Sequence, residues 1–118
     1  MNTKILLRTI NDTRELKEQL ENSGFKIQVD DSKLEVEVDY SKIELFQKII
    51  KEHLNAVYNY ANVKFPDRKL NILIFPKKNF VINNIEADKN AKEWALSVGL
   101  SKPETEWTTF YTTDDSSV

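Results

Sequence analysis

The chain has 118 residues, a formal charge of -2 and 40% hydrophobic residues, which is enough to bury one core and too little for two comfortable ones. The absence of cysteine and the single histidine exclude disulfides, thiolate zinc sites, thiol nucleophiles and a multi-histidine metal centre within the chain. A charge so near neutrality gives no general pull toward nucleic acid or an acidic membrane, so binding of that kind needs a local patch.

Residues 4–8, KILLR, are a short apolar run and read as a strand. Asp12 and Glu15 follow as a capping-box pattern, Leu16 and Leu20 share one helical face, and Gly24 supplies a left-handed stop over which Phe25 can fold back on Leu20. Residues 12–23 are therefore expected to be a short helix with a narrow apolar seam. Residues 25–29 and 34–38 alternate apolar and polar side chains around Asp30, Asp31, Ser32 and Lys33, the pattern of a β-hairpin. In its second strand Leu34, Val36 and Val38 face one way and Glu35, Glu37 and Asp39 the other, so one face is dry and the other acidic.

Residues 39–61 carry the longest helical period in the chain: Ile43, Leu45, Phe46, Ile49, Ile50, Leu54, Val57 and Tyr58 fall on one arc. Ser41 and Glu44 match the S-x-x-E capping box, with Tyr40 and Leu45 placed as its hydrophobic staple. The far end is expected to fray between Ala56 and Ala61. Residues 63–69 read as a connector around Pro66, residues 70–75 as a strand, and residues 80–82 as its antiparallel return after the turn at Pro76. Asn83 or Asn84 can cap a third helix bearing Ala87, Ala91, Trp94, Ala95 and Val98 at helical spacing, closed by Gly99 and Leu100. Residues 101–118 are a tail, strand-like in composition at 107–113 and expected to be disordered from Asp114.

Up to Phe75 the order is strand, helix, strand, strand, helix, strand. This order resembles the split βαβ or ferredoxin-like fold, which implies an α+β domain with both helices covering one face of a four-stranded antiparallel sheet. The further strand, helix and tail then become additions at an edge or over the open face. Residues 1–100 are expected to form one domain and residues 101–118 a tail ordered to about 113. A fold of this kind hosts many functions and assigns none.

Three groups of residues are candidates for function. Glu35 and Glu37 on the acidic strand face, with Trp107, Phe110 and Tyr111 in the tail, are candidate protein contacts, through a partner or through a strand exchanged in a homo-oligomer. Lys64, Arg68, Lys69, Lys77 and Lys78 are a basic segment with Phe65, Phe75 and Phe80 nearby, a candidate nucleic-acid surface. Against it, the third strand would offer carboxylates where a sheet that binds RNA presents aromatic rings. His53 on the apolar arc, with Tyr58 and Tyr60, is a candidate small-ligand pocket, although a histidine satisfied by one structural hydrogen bond is the simpler expectation.

The carboxylates of Glu35, Glu37 and Asp39 are spread by strand spacing, about 7 Å from one to the next, instead of converging on a metal. Two glycines leave no glycine-rich phosphate loop in its usual form. Asn11-Asp12-Thr13 and the terminal Ser116-Ser117-Val118 match a glycosylation site and a carboxylate-terminated peptide ligand, patterns short enough to arise by chance. No apolar run nears the roughly 20 residues that span a bilayer, and the first ten residues lack a signal-peptide pattern. With no catalytic residue set, cofactor motif or metal set apparent, the expectation is a cytoplasmic, non-enzymatic interaction or regulatory protein, an accessory or inhibitor acting by surface complementarity. A nucleic-acid-binding module and a small-ligand pocket protein are the alternatives.

Overall fold

The computed structural model describes residues 1–111. The tail beyond Tyr111, with the end of the strand-like segment at 112–113, the disorder expected from Asp114 and the Ser116-Ser117-Val118 motif, lies outside the described residues. The elements are β1 (Thr3–Leu6), α1 (Thr13–Asn22), β2 (Lys26–Val29), β3 (Lys33–Glu37), α2 (Ile43–Lys51), β4 (Ala61–Phe65), β5 (Leu70–Ile74), β6 (Asn79–Ile82) and α3 (Ile85–Ser97). They make a small α+β domain whose six strands form one antiparallel sheet in the order β2-β3-β1-β4-β5-β6. No helix among the described residues is long and apolar enough to cross a membrane.

The connector expected at 63–69 is a correction. Ala61, Val63 and Phe65 are buried and alternate with Asn62 and Lys64, so this stretch is β4, pairing with β1 on one side and β5 on the other. Only Pro66–Arg68 turns, as one 3-10 turn, and Lys69 leaves it with a left-handed backbone at φ 57°.

Alternation along β5 divides the molecule into layers. Ile72 and Ile74 join the core built by Leu16 and Leu20 of α1, Phe46 and Ile50 of α2, and Leu34, Val36 and Val63 of the sheet. Leu73 belongs to a second core with Phe75, Ile82, Ala91, Ala95, Leu100 and Trp107. Since neighbouring strand residues point to opposite faces, α1 and α2 cover one face of the sheet while α3 and the C-terminal segment cover the other. All five residues of β5 are buried, including Asn71, which donates to Asn62 Oδ1 at 2.9 Å.

The ends of α1 follow from its sequence. Asp12 accepts from the Glu15 amide at 3.1 Å. At the far end Gly24, with φ 89°, lets its own amide reach Glu21 and the Phe25 amide reach Leu20, both at 3.0 Å, the Schellman pattern. Gly99 closes α3 in the same way, through Leu96 and Ala95, and Asn84 is its N-cap.

The long helix departs from expectation at both ends. Residues Tyr40–Lys42 wind as a 3-10 turn, so Ser41 lies inside a turn instead of before one, and neither that turn nor α2 has a side-chain cap. Tyr40 packs edge-on against Phe65, and Leu45 is 41% exposed, so the staple is not made. The helix ends at Lys51 because residues 53–55 pair with the segment after β1 instead. The Asn11 amide donates to the His53 carbonyl at 2.7 Å, the Asn55 amide donates to Thr9 at 2.9 Å, and Ile10 and Leu54 form a bridge. Tertiary pairing takes the backbone groups that another helical turn would have used.

Candidate functional site

The face of the sheet opposite α1 and α2 is only half covered. The segment after Gly99 starts with a 3-10 turn at Pro103–Thr105 and runs back over the edge of α3. Its turn is closed by the Glu104 side chain, whose Oε1 accepts from both the Ser101 amide and the Ser101 hydroxyl at 2.8 Å. Beyond it, Asp88 of α3, only 5% exposed, accepts from the Trp107 indole at 2.9 Å and from the Tyr111 hydroxyl at 2.8 Å, with Lys92 Nζ 3.4 Å away. This clamp ties residues 101–111 down as a strap, and its near side becomes the wall of a cleft of about 380 Å³.

The floor of the cleft is the exposed side of β1 and β4. Continued along the strands, the Thr3–Val63 pairing sets Lys4 beside Asn62 and Leu6 beside Tyr60. Lys4 and Lys64 therefore stand toward one end, while Leu6, Arg8, Tyr58 and Tyr60 stand toward the other. Leu6 and Tyr58 are each 44% exposed. The Tyr60 ring packs against Phe75 and Trp107, and its hydroxyl donates to the Glu104 carbonyl at 3.2 Å. Burial, then the charge of Glu104, holds the Tyr60 phenol above its ordinary pKa. The Glu104 carboxyl is held below the usual range by the Ser101 amide and hydroxyl, with a smaller contribution from Arg8. Among the described residues no carboxylate lies within ion-pair distance of Lys4, Arg8 or Lys64.

The sequence candidates are redistributed by this arrangement. Tyr58 and Tyr60 line the cleft, but His53 does not. The imidazole is 5% exposed, with Nδ1 3.3 Å from the Asn11 carbonyl and Nε2 2.9 Å from the Gln19 side-chain amide. Nε2–H donates to the Gln19 Oε1, the shorter of the two contacts, and a neutral ring can donate to only one of these two oxygens at a time. His53 is a tie between the start of α1 and the end of α2.

The basic segment is likewise divided. Arg68 and Lys69 belong to the β4–β5 turn, whereas Lys77 and Lys78 belong to the β5–β6 turn at the other end of β5, roughly 15 Å away by strand rise. Arg68 stacks on Tyr40 at 4.0 Å and Lys78 lies over Phe80 at 5.3 Å. Only Lys64 reaches the cleft.

The acidic face expected on β3 is a charge-matched row. Glu35 is paired with Lys4 and Gln28, and Glu37 with Lys26 while also lying 3.7 Å from the Met1 amine. Asp39 has left the strand for the start of the 3-10 turn. Of the tail aromatics, Trp107 is buried in the second core, Tyr111 is held by Asp88, and Phe110 is half-buried. No three of the described His, Asp and Glu side chains converge as a metal site.

The signals for the cleft were present but scattered. Leu6 and Arg8 read as parts of a strand, Lys64 as part of a connector, and the Ser101–Glu104 cap, an S-x-x-E match, as tail. No protein-family model, curated protein or solved structure matches this chain.

Proposed function

We propose that the protein is a non-enzymatic binding module and that its working surface is the cleft between β1, β4 and the strap. A single observation carries this: the cleft gathers three cations without an ion-pair partner among the described residues beside exposed Leu6 and Tyr58. Unpaired charge beside exposed apolar surface, in a concavity within the usual size range for ligand sites, is what a recognition site requires. Contact through the β3 carboxylates and the tail aromatics is the weaker version, since Glu35 and Glu37 have cationic neighbours and Trp107 is internal.

We also propose that β1 to β4 with α1 and α2 constitute a ferredoxin-like unit. The strand order β2-β3-β1-β4 with antiparallel neighbours supports it, and β5, β6, α3 and the strap are then additions. The absence of cysteine supports a reducing compartment such as the cytoplasm.

The test is affinity capture from the native host with the intact chain and with Leu6→Ser/Tyr58→Ser, both exposed positions. A partner that disappears from the double variant, while the variant keeps its melting temperature, supports the cleft as the working surface. An unchanged partner set overturns it.

A further inference from the structure

Resting on that reading, we infer that the cleft takes a phosphorylated nucleoside, either free or as one unit of a single-stranded nucleic acid. The two ends of the cleft differ in character. At one end Lys4 is exposed and Lys64 half-buried, in diagonal positions on adjacent antiparallel strands. Diagonal neighbours of this kind lie roughly 7–8 Å apart at their Cα atoms, within reach of one another for long side chains. Glu35 faces Lys4 across β3, but no carboxylate lies within ion-pair distance of either ammonium group among the described residues, so the pair favours an anion there, and a phosphate offers several acceptor oxygens to both.

The other end is built for a flat ring. Tyr58 is exposed, and its ring lies beside Gly99, at ordinary van der Waals distance from where a Cβ there would stand. Leu6 forms the floor beside it, and Tyr60 is fixed by Phe75, Trp107 and the Glu104 carbonyl. A base stacked on an aromatic side chain gains about 1–3 kcal/mol regardless of its identity.

The strap carboxylates decide the orientation. Glu104 is tied to Ser101 near Tyr60, and Glu106 also lines the wall. Both would repel a phosphate on that side and would accept from an exocyclic amine. The phosphate therefore belongs over Lys4 and Lys64 and the base over Tyr58. Glu35 and Glu37 do not line the cleft, and Glu35 stands beside its Lys4 end, across from Lys4 on β3.

The experiment is amide and indole NMR shift mapping on the full chain with adenosine 5'-monophosphate, adenosine and a short single-stranded oligoadenylate. The expected result is that the monophosphate and the oligomer move the resonances of Lys4, Tyr58, Asn62 and the Trp107 indole. Lys4→Ala/Lys64→Ala should weaken the monophosphate about tenfold or more and leave adenosine unchanged, while Tyr58→Ser should weaken both. Lys4→Ala alone, at an exposed position, repeats the measurement if the double variant folds poorly. A tighter, salt-sensitive oligomer assigns the polymer as the source, and equal affinity assigns the free nucleotide. The inference is overturned if no cleft resonance moves at millimolar ligand, or if the lysine variants bind the monophosphate as tightly as the parent. When it fails in this way but the Leu6/Tyr58 variant still loses its partner from host extract after nuclease treatment, the ligand is a protein and the binding reading stands.

Discussion

At the scale of single residues, Asp88 is the side chain on which the second layer depends most. It is a nearly buried carboxylate with two side-chain donors, Trp107 and Tyr111, and one cation, Lys92. Replacing it with alanine strands the indole N–H in a dry site, and we expect a loss of about 2–4 kcal/mol in urea unfolding, in the range for a buried donor that loses a charged acceptor. Tyr111 gives the same contact a pH dependence. Desolvation, and then the Asp88 carboxylate that accepts its hydrogen bond, raise the phenol above its ordinary pKa. Because the folded value lies above the unfolded one, the contribution is fully present below the unfolded pKa and is lost as pH rises through the folded one. Tyrosinate absorbance and tryptophan emission should change together in that alkaline window, and Tyr111→Phe should uncouple them. Asp30 works in the opposite direction: the amides of Ser32 and Lys33 donate to it and hold its carboxyl below the usual range. Its support for the β2–β3 loop is present above the unfolded aspartate value and is lost as pH falls through the lower folded one. The protection of those two amides, their exchange relative to the intrinsic rate at each pH, should fall on acidification, and Asp30→Ala should leave it low throughout.

At the scale of elements, local chemistry was legible where the chain closes its own hydrogen bonds and illegible where a distant segment intervenes. Asp12, Gly24, Asn84 and Gly99 act within a few residues of themselves, and each does what its position in the sequence implies. Ser41 matched the same kind of rule and does not cap, because the chain around it winds as a 3-10 turn. We therefore expect Asp12→Ala to cost about 1 kcal/mol and Ser41→Ala to be near neutral, a contrast that paired denaturation curves would reveal. The end of α2 could not be read locally either, since it is set by residues 9–11 pairing with 53–55. β4 is different, because Ala61, Val63 and Phe65 alternate with polar residues in the sequence itself, and Pro66 ends the strand instead of excluding it. For the candidate site the obstacle was composition from afar. Lys4, Tyr58, Lys64 and Glu104 come from β1, the turn after α2, β4 and the strap, and of these only Tyr58 and Lys64 share a window of sequence.

At the scale of the whole molecule, two cores share one strand. Leu70, Ile72 and Ile74 serve the α1/α2 layer while Leu73 serves the α3 layer, so neither layer can loosen without loosening β5. Unfolding should accordingly be a single transition, followed equally by tryptophan emission, which reports Trp94 and Trp107 in the second core, and by far-ultraviolet circular dichroism. Trp107→Ala, expected to cost about 3 kcal/mol, should move both curves to the same new midpoint. Two separated midpoints would contradict the sharing.

A strand that is greasy on both sides has lost the usual means of knowing its alignment, because sliding it by one position exchanges one set of apolar side chains for another. In β5 the lone exception is Asn71, whose amide is matched to Asn62 on β4. That pair acts as an index mark. Asn71→Leu would add apolar area yet remove the mark, and the expected signature is a spectrum with doubled or broadened amide peaks along β4, β5 and β6 in a protein that still melts cooperatively.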